Sequence, residues 1–103
     1  MVFIETSLFT KLLNKHLSDD EYQALQLYLL ERPDVGDIII GSGGVRKMRW
    51  AIGNKGKSGG IRVIYYWRNS VDEIWMLTLY PKNERDSIDG HVLKKIAEEI
   101  ENV

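Results

Sequence analysis

Hydrophobic residues recur at a helical spacing of three to four positions in three segments of this chain. The first helix is expected to begin at a hydroxyl side chain at position 6 or 7, directly after the β-prone run 2–4. The second is expected to begin at Ser18, because Glu21 completes the spacing of a capping box. It should end near Arg32, since Pro33 disfavours helical geometry in the residue before it. A third helix is predicted from position 87 or 89 onward.

Between the second and third helices, the pattern predicts β-strands. In the run 45–52, Met48 and Trp50 share one face while Lys47 and Arg49 share the other, as expected of a half-exposed strand. The β-branched and aromatic run 61–68 and the run 74–80 predict two more strands, the last ended by Pro81. The glycine-rich segment 53–60 predicts a hairpin with a long basic tip.

The predicted element order is β-α-α-β-β-β-α. It lacks the strand and helix alternation of a parallel doubly wound fold, and its consecutive hairpins favour a mainly antiparallel sheet. We therefore predict an α+β fold in which the helices cover one face of the sheet. With 103 residues and 44% hydrophobic composition, the chain has room for one domain, residues 1–103.

Charge is unevenly distributed along a chain whose formal net charge is only −1. Residues 38–71 contain seven Lys or Arg and no Asp or Glu, whereas the remainder contains seven bases and fifteen acids. A surface of one sign attracts polyanions and speeds their capture. This segregation predicts a phosphate-bearing partner; the alternatives are a solvated basic face or a docking surface for an acidic protein.

Residue types that the chain lacks disfavour other classes of function. Without Cys, neither a disulfide nor a thiolate zinc site can form, and the two His are isolated in sequence. We accordingly predict no metal and no other cofactor. No apolar run reaches 18 residues, which predicts a soluble, cytoplasmic protein without membrane contact.

The basic residues of the predicted hairpin form the candidate binding surface. A hairpin brings these side chains together although the sequence spreads them over 17 positions. The neighbouring glycines either permit the backbone to approach a phosphate closely or simply make a mobile tip. The candidate phosphate-binding residues are Arg46, Lys47, Arg49, Lys55, Lys57 and Arg62.

Aromatic residues of the same strands could stack on unpaired bases, which is the usual route to recognition of single-stranded RNA. Tyr65 and Tyr66 face opposite sides of a strand, so at most one of them should meet a ligand. The aromatic residues considered also include Trp50, Trp67 and Tyr80, and most of this group is expected to lie in the core. Tyr65 is retained as the stacking candidate.

Three polar residues lie where the chain leaves the last predicted strand. Tyr80 ends that strand, and Lys82 and Glu84 follow it. Glu84 either balances the charge of Lys82 and Arg85 or acts as a carboxylate general base beside the cationic surface.

Three segments together resemble the HigB branch of the RelE toxin superfamily, and the resemblance covers nearly the whole chain. The predicted element order also fits the RelE-like fold. Ser58 is a departure, because related sequences usually have a further basic residue after the Lys-Gly-Lys motif. The segments read Gly41-x-Gly43-Gly44-Val45-Arg46-Lys47-x-Arg49, then Lys55-Gly56-Lys57-x-Gly59-Gly60-x-Arg62-Val63-Ile64-Tyr65-Tyr66, then Leu79-Tyr80-x-Lys82-Asn83-Glu84.

The resemblance implies the toxin of a type II toxin–antitoxin system, an endonuclease that cleaves translated mRNA at the ribosomal A site. It further implies a cognate helix-turn-helix antitoxin (HigA-like), and contact with operator DNA only through the toxin–antitoxin complex. The gyrase-poisoning ParE branch shares the fold. Two alternatives therefore stay open, a ParE-like gyrase inhibitor and a noncatalytic nucleic-acid-binding regulator.

The candidate residues fit metal-free cleavage, in which the 2′-OH of the RNA attacks the adjacent phosphate. That reaction needs a base for the 2′ proton, cations for the charge on the phosphorane, and an acid for the leaving 5′ oxygen. Arg62 is assigned to the phosphorane, because a planar guanidinium can hold two phosphate oxygens. The other catalytic candidates are Lys57, Lys82, Tyr80 and Glu84, and the division of roles among them stays open.

Overall fold

A computed structural model describes residues 1–51, 60–84 and 88–103 of the chain. Among these residues, none of the helices combines the length and the hydrophobicity that a membrane span requires. The predicted α+β class is confirmed, with a two-residue strand in addition to those expected. The elements are β1 (Val2–Glu5), α1 (Ser7–His16), α2 (Asp19–Glu31), β2 (Asp37–Ile38), β3 (Arg46–Trp50), β4 (Ile61–Arg68), β5 (Glu73–Pro81) and α3 (Gly90–Glu101).

Capping side chains stand at the start of α1, α2 and α3; Thr6 was one of the two predicted caps of the first helix, Ser18 was the predicted cap of the second, and Asp89 is one of the two predicted start positions of the third. Thr6 caps α1 by accepting a hydrogen bond from the Phe9 N–H at 3.0 Å. At α2 the Glu21 N–H donates to Ser18 Oγ at 3.1 Å, while the Ser18 N–H donates to the Glu21 carboxylate at 2.9 Å. Asp89 caps α3. These side chains satisfy backbone donors that the first turn of a helix leaves unpaired, and so fix where each helix begins.

The strands form one sheet in the order β1-β5-β4-β3-β2. β1 runs parallel to β5 and all other neighbours are antiparallel, which confirms the predicted mainly antiparallel sheet. The register pairs Arg62 of β4 with Arg49 of β3 on one side and with Tyr80 of β5 on the other. Directly paired residues point to the same face of a sheet. These three side chains therefore form a row across three strands.

Helices pack on both faces of the sheet, which corrects the prediction that they cover one face. α1 and α2 pack on the face that carries Val63 and Tyr65, called the α1/α2 face below. α3 packs on the opposite face, which carries Ile64 and is called the α3 face. β4 is buried without alternation from Ile61 to Tyr65, as expected of a strand covered on both sides. The row that contains Arg62 lies on the α3 face, since Arg62 and Ile64 are two residues apart.

Candidate functional site

An open cleft with a volume of ≈ 800 Å³ lies at the edge of β3. β2 pairs only with Arg46 and Lys47, so the rest of β3 has no neighbouring strand on that side among the described residues. The cleft extends around this free edge, because its lining comes from both faces of the sheet. The lining residues are Lys47, Arg49 and Arg62 from the α3 face, Met48 and Trp50 from the α1/α2 face, and Tyr28, Val35, Asp37, Ala51 and Lys82 around them.

Arg62 is the buried cation of this cleft. Only 7% of the residue is exposed, and Nη1 is buried without a hydrogen-bond partner among the described residues. A buried donor without a partner destabilises a protein by about 1–3 kcal/mol, and a charged one by more. Arg49 lies directly opposite, and like charges in that position also destabilise a sheet. An anion bound between the two arginines would offset both effects, so the geometry favours a phosphate site.

Three further cations that the sequence predicted border the cleft with Arg62. Lys47 is half-buried and Arg49 is exposed, and both lie on the α3 face. Lys82 is exposed in the turn that follows β5. None of the four forms an ion pair within 4.0 Å in the described part of the chain. Their charges are therefore available to an anionic ligand.

The predicted proton carriers differ in how close they come to this cleft. Tyr80 does not line the cleft itself, but it pairs with the cleft residue Arg62 across the sheet, and its hydroxyl is buried. Glu84 is exposed and closes the turn after β5, but it is not among the residues that line the cleft. Lys57 and the neighbouring Lys55 lie outside the described residues.

Arg46 lies away from the cleft, which corrects its assignment to phosphate binding. It pairs with Tyr65 on the α1/α2 face, opposite to the face of the cationic row. Its Nη1 donates to the carbonyl oxygens of Asp34 at 3.0 Å and Gly36 at 2.8 Å. Arg46 therefore holds the loop between α2 and β2, and only the two basic residues of β3 on the α3 face remain available to a ligand.

Tyr65 belongs to the core, which corrects its assignment to base stacking. The residue is fully buried, and its hydroxyl accepts a hydrogen bond from the Gly36 N–H at 2.9 Å while donating to the Pro33 carbonyl at 2.8 Å. Burial raises the pKa of Tyr65, because the phenolate would lose its hydration. The hydroxyl therefore stays protonated and keeps both hydrogen bonds near neutral pH. With its ring in the core, Tyr65 has no face to offer to a base.

Replacing Tyr65 with phenylalanine should destabilise the fold without altering the cleft. The buried Gly36 N–H would lose its acceptor, which should lower the free energy of unfolding by about 1–3 kcal/mol. Urea unfolding followed by circular dichroism measures this change. Tyr66→Phe is the matched control, and a smaller loss is expected because Tyr66 bonds to the exposed Glu101 carboxylate, which water can replace. Equal stability of wild type and Tyr65→Phe would contradict the assignment.

Asp37 is a cleft residue that sequence reasoning missed. It lies directly before the acid-free segment, and the pairing of β2 with β3 places it opposite Lys47. Asp37 is exposed, and its carboxylate makes no ion pair with Lys47. The cleft thus contains a carboxylate beside its cations. The pairing depends on a strand of two residues, which has no recognisable periodicity in the sequence.

No protein-family model matches the sequence. Two solved structures share its fold over most of their length. A doubly substituted variant of the E. coli toxin RelE in the free state has a TM-score of 0.60 at 15% identity, covering 82% of this chain and 86% of that one. The isolated E. coli RelE toxin has a TM-score of 0.59 at 14% identity, covering 96% and 97%. The chain therefore has the RelE fold, as its sequence predicted.

Proposed function

We propose that this protein is the toxin of a type II toxin–antitoxin system, in the HigB-like branch of the RelE/ParE superfamily, and that it cleaves translated mRNA on the ribosome. The observation that carries the proposal is the buried Arg62 guanidinium, whose Nη1 has no partner among the described residues. It lines a cleft together with three further cations. The likeness in fold to RelE, which is a toxin, supports the same conclusion.

In the proposed reaction, the 2′ oxygen of the RNA attacks the adjacent phosphorus, and the bond from phosphorus to the 5′ oxygen breaks. The products are a 2′,3′-cyclic phosphate and a free 5′-OH. Arg62 binds the non-bridging oxygens, where negative charge grows in the transition state, so it stabilises that state more than the bound substrate. Arg49 on the β3 side and Lys82 after β5 add positive charge around the same phosphate.

Two protons must move for this reaction to proceed. Tyr80 is the proposed acid for the leaving oxygen, because it neighbours Arg62 in the row across the sheet. Asp37 is the proposed base for the 2′ proton, because its carboxylate lines the cleft without an ion-pair partner among the described residues. Glu84, Lys57 and Lys82 are the alternative proton carriers that the sequence supplies.

The proposal includes the partners that such a toxin requires. Its substrate is mRNA in the ribosomal A site, and its site of action is the cytoplasm, where translation takes place. A cognate helix-turn-helix antitoxin of the HigA type would neutralise it. Operator DNA would be contacted only through the toxin–antitoxin complex.

Pulse labelling after induction of the toxin in a bacterial host tests this function. Incorporation of labelled amino acids should stop before incorporation of thymidine, and the Arg62→Met variant should stop neither. If thymidine incorporation stops first, the protein is a gyrase inhibitor and the proposal is wrong. If both continue although the protein binds nucleic acid, it is a noncatalytic regulator, and the proposal is again wrong.

A further inference from the structure

The side of the cleft away from the cationic row is aromatic. Trp50 and Tyr28 line it on the α1/α2 face, with ring centroids 5.6 Å apart and ring planes inclined by 43°. Both rings pack against the core, yet both stay partly exposed. An aromatic surface in contact with water within an open cleft loses apolar hydration when a flat ligand covers it. The exposed parts of these two rings therefore form a surface that suits an apolar, planar ligand.

The free edge of β3 connects the aromatic side to the cationic side. Trp50 pairs with Ile61, the residue directly before Arg62, and it points to the opposite face of the sheet. On the side of β3 away from β4, no strand among the described residues pairs with β3 beyond Lys47, so a chain can cross this edge. A single nucleic-acid strand that crosses here would present a phosphate to Arg62 and an adjoining base to Trp50.

We propose that Trp50, supported by Tyr28, is a stacking platform for one unpaired base of the RNA whose phosphate Arg62 binds. The inference rests on the proposed function for the identity of the ligand and adds a base subsite to the phosphate site. An indole can stack on any of the four bases, because every base has a π-face. Purines should bind more tightly than pyrimidines, because their larger rings cover more of the indole.

A protein partner could also cover the partly exposed indole, but it would not account for the neighbouring cations. The cleft that Trp50 lines also contains the four cations Lys47, Arg49, Arg62 and Lys82. An apolar side chain would form no favourable interaction with these charges. A nucleotide combines a planar ring with a phosphate, so it uses both sides of the cleft at once. This match of two adjacent chemistries favours single-stranded RNA over an apolar peptide.

Binding of short oligoribonucleotides at low salt tests the platform without ribosomes. The probe is a 2′-O-methyl oligo(A), which lacks the attacking hydroxyl and so cannot be cleaved, and an abasic strand of equal length has the same phosphates. Trp50→Leu should bind oligo(A) about 10-fold more weakly than wild type, while its affinity for the abasic strand should stay unchanged. Trp67→Leu is the matched control, since Trp67 packs on the same core without lining the cleft. It should leave both affinities unchanged.

Fluorescence gives an independent measurement. In the double variant Trp67→Phe/Trp75→Phe, Trp50 is the only remaining tryptophan. Oligo(A) should quench this indole and the abasic strand should not. If Trp50→Leu does not fold, this quenching decides the question, and if the double variant does not fold, the affinities decide it.

Equal quenching by the two strands, no quenching by either, or an unchanged affinity of Trp50→Leu for oligo(A) overturns the platform. The outcomes also separate the platform from the proposed nuclease. Base-dependent binding by a protein that leaves ribosome-bound mRNA intact would keep the platform and reject the nuclease. Cleavage on ribosomes without base-dependent binding would reject only the platform.

Discussion

Replacing Arg62 with methionine is expected to lower the rate of mRNA cleavage on programmed ribosomes by about 100-fold or more, which is common when a transition-state stabiliser is removed. The guanidinium is the only buried charge among the described residues that line the cleft. Methionine keeps an unbranched apolar stem like that of arginine but lacks the charged guanidinium. The loss therefore reports on the guanidinium and not on packing.

The stability of Arg62→Met distinguishes a functional arginine from a structural one. Because Nη1 of Arg62 is buried without a partner among the described residues, its removal should leave the free energy of unfolding unchanged or raise it by about 1 kcal/mol or more. Arg68→Met is the matched control on the same strand. Arg68 forms ion pairs with Glu73 at 3.5 Å and Glu101 at 3.4 Å, and donates to the Val103 carbonyl at 3.1 Å. That variant should lose stability and keep its cleavage rate.

Arg62→Lys then tests whether the guanidinium fork matters beyond its charge. Lysine keeps the charge but cannot hold two phosphate oxygens in parallel. Cleavage should fall clearly below wild type, whereas binding of RNA should change little. If Arg62→Lys cleaves like wild type, or if Arg62→Met retains activity, Arg62 does not stabilise the phosphorane.

Affinity for single-stranded RNA is expected to fall about 50-fold between 50 and 200 mM salt. This follows if four cations displace counterions from phosphates, because the slope of log affinity against log salt is about −0.7 per contact for a single strand. The four cations are Lys47, Arg49, Arg62 and Lys82. A titration of the 2′-O-methyl strand at several salt concentrations measures the slope.

Two variants of neighbouring residues make this measurement specific to the cleft. Lys47→Ala should make the slope less steep by about 0.7, because it removes one phosphate contact. Arg46→Met should leave the slope unchanged, since Arg46 binds the carbonyls of Asp34 and Gly36 on the other face. A flat salt response of wild type would reject a polyanionic ligand, and an equal effect of both variants would reject this assignment of faces.

Local signals predicted most elements of the fold. The capping residues Thr6 and Ser18 lie within a few positions of the backbone groups that they bind, so the sequence predicted both, with Ser7 as the alternative to Thr6. Strand β4 has the predicted bounds, and β5 extends one residue further at each end. Proximity in sequence made these features predictable.

The position of α3 depends on contacts between distant segments and was predicted wrongly. Its apolar stripe shows that it packs on a surface, but not on which face of the sheet. The unbroken apolar runs in β4 and β5 were the available signal, because strands that are covered on both faces need not alternate. The consecutive hairpins, by contrast, favour an antiparallel sheet with one exposed face.

The candidate site divides in the same way between local and distant effects. Side chains alternate along β3, so Lys47 and Arg49 share one face. The pairing of β3 with β4 places Arg62 beside them, as the sequence predicted. The loop 33–36, by contrast, binds both Arg46 and Tyr65 through backbone groups. Backbone carbonyls occur at every residue and N–H groups at every residue except proline, so no residue pattern marks this loop as a partner. The structural roles of Arg46 and Tyr65 could therefore not be predicted from the sequence.

The most direct test is to incubate purified protein with ribosomes that hold a defined mRNA and to map the fragment ends by primer extension. We expect wild type to cut within the A-site codon, leaving a 2′,3′-cyclic phosphate and a 5′-OH, and Arg62→Met to leave the mRNA intact. Arg68→Met, if folded under the assay conditions, should cut like wild type. Intact mRNA with the wild-type protein, or equal cutting by wild type and Arg62→Met, would contradict the account.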